Sequence, residues 1–122
     1  MSELTKKMTY GYYIITALKK ADNLKTREKD YIAAGTANWV SQVSFTPEIV
    51  SIAVGQNSDL NETIDYSEHF SVHVLSKDHK EYVQKFASKS TIEDGKINNV
   101  TFEKKNDQAI LEGTLGFMTC KV

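Results

Sequence analysis

The chain has 122 residues, 40% hydrophobic and 25% charged, which is the size and composition of one globular domain around one core. Its 15 basic and 16 acidic residues leave a net charge of −1, so no cationic surplus points to nucleic acid or to an anionic membrane surface. The lone Cys120 excludes an internal disulfide, the polar start Met1–Lys7 lacks a signal-peptide pattern, and no apolar run is long enough to cross a bilayer; the expected location is cytoplasmic.

Tyr10–Leu18 is rich in Tyr, Ile and Thr and reads as a strand. The polar stretch Lys19–Asp30 reads as an exposed connection, and Tyr31–Ala37 as the partner strand. Thr36–Pro47 follows as a long polar connection holding the only tryptophan. Glu48–Val54 (EIVSIAV), after Pro47, has the β-branched run of a buried strand. A short helix is expected next, capped by Ser58 or Asp59, with Glu62 three residues after Asp59 as in a capping box and Leu60 and Ile64 on one face. Phe70–Leu75 alternates, placing Phe70, Val72 and Val74 inward. Ser76 caps a second helix, whose apolar stripe is Tyr82, Val83, Phe86 and Ala87. Beyond Gly95, Val100–Glu103 and Ala109–Val122 read as strands joined by a polar turn at Lys104–Gln108. Six or seven strands with two short helices predict a mainly β, antiparallel sheet or barrel and not a doubly wound parallel sheet.

Several chemistries are disfavoured. The glycines form neither a GxGxxG nor a Walker spacing. His69 and His73 are four apart, which is metal spacing on a helix, but they fall on a strand; they read as ordinary surface or barrel-face histidines. Cys120 has no placed base and reads as a small buried hydrophobe. Lys77–Lys80 and Lys104–Asp107 read as solvated faces. No catalytic constellation and no metal site emerge.

The stretch Thr36–Ser44 stands out. Hydroxyls and amides next to backbone N–H groups suit a phosphate or the polar edge of a flavin, and an adjacent aromatic can cover a ring. Composition alone leaves equally open a structural loop whose hydroxyls cap turns.

Four blocks in order settle on a resemblance: YYIITA (Tyr12–Ala17), GTANWVSQVSFTPEIVSIAV (Gly35–Val54), NETIDYSEHFSVHVLS (Asn61–Ser76) and VQKFA (Val83–Ala87). The chain resembles the flavin reductase-like, FMN-binding split-barrel family. The resemblance implies a Greek-key split barrel over residues 1–122 as a single FMN-binding domain. It implies that FMN, or FAD in its place, lies against Thr36, Asn38, Trp39, Val40, Ser41, Gln42 and Ser44, with Asn61, Glu62 and Thr63 beginning the helix that approaches its phosphate. It further implies a homodimer with flavin near the interface, and an NAD(P)H-dependent flavin oxidoreductase in which the cofactor carries the chemistry and no protein residue is catalytic. A flavin-carrying electron-transfer module without its own NAD(P)H activity, handing electrons to a protein partner, is the alternative; a barrel without flavin, serving as an interaction domain, is a third. Two departures stand beside the resemblance. Pro47 is single where a double proline is common, and the family's usual later strand with a Gly-Asp-His motif does not follow Leu115–Val122. The barrel is therefore expected to lack an edge strand, and a truncated chain, a naturally short member and a domain of a larger electron-transfer protein all fit.

Overall fold

The computed structural model describes residues 11–19, 31–106 and 108–122. In chain order the strands are β1 (Tyr13–Lys19), β2 (Tyr31–Ala37), β3 (Val40–Phe45), β4 (Glu48–Ile52), β5 (His69–Val74), β6 (Ile92–Glu93), β7 (Lys96–Ile97), β8 (Val100–Lys105), β9 (Gln108–Leu111) and β10 (Gly116–Lys121). Helix α1 (Asp59–Ser67) joins β4 to β5. A 3-10 turn at Lys77–His79 leads into helix α2 (Lys80–Lys85) before β6. Among the described residues every strand pairing is antiparallel, and the main sheet runs β10-β5-β1-β2. The predicted connection Lys19–Asp30 lies outside the described residues, apart from Lys19 at the end of β1.

β1 is apolar nearly throughout because the sheet is covered on both faces. Ile14 and Leu18 meet Ile32, Phe86, Ile97, Val100 and Leu111 on the side of β6–β9. Ile15 and Ala17 meet Leu60, Ile64, Phe70 and Val72 on the side of α1. Each fully buried isoleucine contributes about 1.5–3 kcal/mol. Thr16, the polar exception, donates its hydroxyl to the Ala109 carbonyl at 2.6 Å.

β5 is likewise buried on both faces, which corrects the reading of its alternate residues as a wet face. Ser71 and His73 are as inaccessible as Val72. His73 is no surface group: its Nδ1 lies 2.9 Å from the Ile14 carbonyl, and the Leu111 N–H donates to its Nε2 at 3.0 Å. A carbonyl only accepts and an amide N–H only donates, so the ring is neutral with its proton on Nδ1. One side chain thus ties β5 to β1 and β9.

Helix α1 starts where its cap dictates. The Ser58 hydroxyl accepts from the Asn61 N–H at 3.1 Å, so Ser58 is the cap, with Asn61 and not Glu62 at the third position. Glu68, at φ 61, closes the helix by donating its N–H to the Ile64 carbonyl. Ser58→Ala is expected to destabilise the fold by about 1 kcal/mol, read as a lowered urea midpoint with unchanged slope. Ser76 caps as expected, but it caps the 3-10 turn: its hydroxyl accepts from the Asp78 N–H, and His79 Nδ1 accepts from the Ser76 N–H. Of the predicted stripe on α2, Phe86 is buried while Ala87 is exposed.

Three further expectations change. Thr36–Ser44 is not a loop: Thr36 and Ala37 end β2, Val40–Phe45 is β3, and only Asn38 and Trp39 connect them. β3 and β4 form a hairpin around Thr46–Pro47, whose peptide bond is cis. Second, Glu48–Val54 is not a buried strand. It ends at Ile52 and leaves Glu48, Ile49 and Ser51 exposed, because only one two-stranded layer is built there. Third, Ala109–Val122 is two strands, separated where Gly113 adopts φ 84 and the Tyr82 hydroxyl lies 2.7 Å from where a Cβ would stand. A short meander also precedes β8. Asp94-Gly95 and Asn98-Asn99 all have positive φ, the geometry of tight two-residue hairpin turns.

Candidate functional site

β2 ends the main sheet, so its outer edge needs partners for backbone groups that are buried. The segment after α2 supplies them. The Thr36 N–H donates to the Phe86 carbonyl at 3.2 Å, and the Thr36 hydroxyl donates to the Val83 carbonyl at 2.8 Å. The Ala34 N–H donates to Ser90 Oγ at 3.0 Å, and that hydroxyl donates back to the Ala34 carbonyl at 3.2 Å.

A cleft of about 350 Å³ opens between this segment, the exit of β4 and the start of α1; Gly35, Thr36, Gly55, Ser58, Ser88 and Lys89 line it. Its floor is the apolar wall of Leu60 and Phe86. Three features suit an anion: the positive end of the α1 dipole, the Ser88 hydroxyl, and the Lys89 ammonium. The Ser58 hydroxyl is spent within the turn, donating to the Gly55 carbonyl at 2.7 Å and accepting from the Asn61 N–H. The nearby carboxylate, Asp59, accepts a hydrogen bond from the Tyr31 hydroxyl at 2.9 Å. At Gly35 an added Cβ would come within 3.2 Å of the Leu60 side chain, so the β2 wall stays flat there.

A second, larger groove of about 740 Å³ separates β4 from β10 and is mainly apolar, with Ile52, Ile64, Met118 and Cys120 among its walls. Cys120 is half-buried against the α1-side core, and burial pushes its thiol pKa up, so it is no preformed thiolate.

The residues expected around a flavin are dispersed. Thr36 lines the first cleft, but its amide and hydroxyl are spent on α2. Asn38 is half-buried and Trp39 exposed in the β2–β3 connection, and Val40 packs on the α1-side core. Ser41 and Gln42 are exposed on the hairpin; the Gln42 amide donates to the carbonyl of Ser44, itself half-buried. Asn61 faces the second groove and donates its side-chain amide to the Gln56 carbonyl at 2.8 Å. Glu62 is exposed, and buried Thr63 donates its hydroxyl to the Asp59 carbonyl. Only Thr36 therefore joins Ser58 at the α1 N-terminus. Residues not anticipated at the cleft are Gly55, Ser58 as a lining group, and Ala87–Ser90. The available signal was a lysine between two serines directly after the Phe-Ala that follows α2.

A family model described as the flavin reductase like domain matches residues 5–122. The chain belongs to the flavin reductase-like domain family. Solved structures agree with that membership at the level of fold. The flavin reductase-like barrel superposes on the NADH:FAD oxidoreductase SgcE6 of Streptomyces globisporus with a TM-score of 0.76 at 19% identity, covering 98% of this chain and 66% of that one. It superposes on the flavin reductase PheA2 with a TM-score of 0.73 at 22% identity, covering 100% and 74%. The expected mainly β, antiparallel barrel with two short helices is thus the observed architecture. Among curated proteins, the chain is 29% identical over 118 residues to a diflavin flavoprotein A 1 of Thermosynechococcus vestitus. It is 26% identical over 121 residues to one of a Nostoc species. Each match covers 95% of this chain, which spans about a fifth of the length of those relatives.

Proposed function

We propose that this flavin reductase-like domain binds FMN, or FAD in its place, with the phosphate in the cleft at the start of α1, and that it reduces the flavin with NAD(P)H in the cytoplasm. The observation that carries the reading is the pair Ser88 and Lys89 beside a helix N-terminus and an apolar wall, in a chain of this family. When bound, the flavin supplies hydride and electron transfer, so the chain needs no acid–base pair of its own. Lys89 and Ser88 hold the anionic end, Gly35 lets the ligand approach β2 closely, and Leu60 and Phe86 keep water from the inner wall. The connection at Asn38 and Trp39 and the hairpin residues Ser41, Gln42 and Ser44 reach the ring once it extends beyond the cleft, while Asn61, Glu62 and Thr63 build the α1 turn behind the phosphate.

A homodimer completes the reading. Trp39, Val43, Phe45 and Ile49 are large apolar residues left open on the hairpin, Phe45 at 84% exposure, and a second copy of the chain would cover them. A second reading, an electron-transfer module without NAD(P)H activity, is favoured by the much longer relatives named as diflavin flavoproteins.

Purified protein titrated with FMN is expected to quench flavin fluorescence at a saturable site; no binding of FMN or FAD would overturn the proposal. Lys89→Ala is expected to weaken FMN about tenfold or more and to leave riboflavin, which has no phosphate, nearly unchanged. Asn38→Ala and Ser41→Ala test the hairpin's share, and unaltered affinity would remove both residues from the site. NADH and NADPH oxidation with added flavin separates the reductase from the electron-transfer module. Sedimentation at several concentrations tests the dimer.

A further inference from the structure

After α2 the chain turns at Phe86 and Ala87 and runs beside β2 without forming a strand. It is anchored to β2 at two points, by the Phe86 carbonyl on the Thr36 N–H and by the Ser90 hydroxyl on Ala34. Between these anchors Ala87, Ser88 and Lys89 are exposed along the cleft. Ser90 can close this arrangement because a hydroxyl donates and accepts at once, so one side chain meets both the N–H and the C=O of Ala34. The other end is held by three bonds. Two come from Thr36, and the third runs from the Asn98 side-chain amide to the Lys85 carbonyl at 2.8 Å.

We infer that Ser90 is a positioning residue: its hydroxyl clamps the segment to the edge of β2 and thereby presents Ser88 and Lys89 to the phosphate of a flavin nucleotide. This rests on the flavin reading for its ligand, but not for the clamp itself. Ser90 touches no ligand in this scheme. It acts through the two residues it holds out, so its loss should be felt at the phosphate and not at the ring.

The test uses the full chain with FMN and riboflavin as probes, in the Ser90→Ala and Ser90→Thr variants. Ser90→Ala is expected to weaken FMN about tenfold more than riboflavin and to speed amide hydrogen exchange at Ala34. Ser90→Thr, which keeps the hydroxyl, is expected to restore both. Equal losses for the two flavins would show a merely structural role and overturn the inference, as would Ala34 exchange unchanged in Ser90→Ala. A wild-type chain that binds neither flavin would overturn the flavin reading, and with it the ligand named here, whereas altered Ala34 exchange reports the clamp independently.

Discussion

Replacing Phe86 with alanine is expected to lower the free energy of unfolding by about 3–5 kcal/mol, a large part of the roughly 5–15 kcal/mol that domains possess. Phe86 is 2% exposed and among the largest of the wholly buried side chains. It sits where β1, β2 and the β6–β9 sheet meet, with Ile14, Leu18, Ile97 and Val100 in the same cluster, and the Tyr82 ring meets its edge at 6.5 Å. Truncation removes the transfer free energy of the ring and leaves a cavity that two sheets cannot easily collapse into. The same residue walls the cleft and its carbonyl anchors Thr36. Urea denaturation followed by circular dichroism measures the loss. A shift below about 1 kcal/mol would mean that the cluster repacks and that Phe86 does not set its volume.

His73→Leu is expected to cost about 2–5 kcal/mol and to change the pH dependence of stability. The variant strips the Leu111 N–H of its partner in a dry interior, at about 1–3 kcal/mol, and removes the bond that the ring donates to the Ile14 carbonyl. In the wild type, burial holds the His73 pKa below its ordinary 6.5, against a smaller upward pull from its bond to Ile14. Above about pH 6.5 the ring is neutral in both folded and unfolded chains, and the full contribution is present. As the pH falls below that value the unfolded chain takes up the proton first, so stability is lost by up to about 1.4 kcal/mol per pH unit until the folded pKa is reached. Unfolding free energies of wild type and variant between pH 5 and 8 are expected to converge towards the acid side. Parallel curves would show that His73 is not the neutral tie described above.

Much of the fold was legible because it is written in local chemistry. β1 follows from a run rich in Tyr, Ile and Thr, β2 from a small apolar run beside it and β5 from alternation, and the helix starts follow from Ser58 and Ser76, whose hydroxyls act within three residues. β3 was hidden for a definite reason. Its register shifts between Gln42 and Ser44, leaving Val43 as the extra residue of a bulge, so Val40, Val43 and Phe45 do not alternate. The exposure of β4 was hidden because an apolar run signals burial without saying whether the covering layer belongs to the same chain. β6 and β7 are too short to show a period, although Asp94-Gly95 was a readable turn. At the cleft, family resemblance pointed to Thr36 and the α1 N-terminus. Ala87–Ser90 escaped notice because these residues form neither helix nor strand and are held in place only by the Phe86 carbonyl and the Ser90 hydroxyl on β2.

The pairing pattern also spreads the loop-closure cost unevenly along the chain. The tight turns at Asp94-Gly95 and Asn98-Asn99 let β6, β7 and β8 pair with neighbours a few residues away, so this part of the chain closes only small loops. The main sheet must instead join Tyr13 to Val74. That contact carries a larger loop-closure cost than the turns of the meander. The local pairing therefore lies in the meander, and the long-range closure in the docking of β5 on β1.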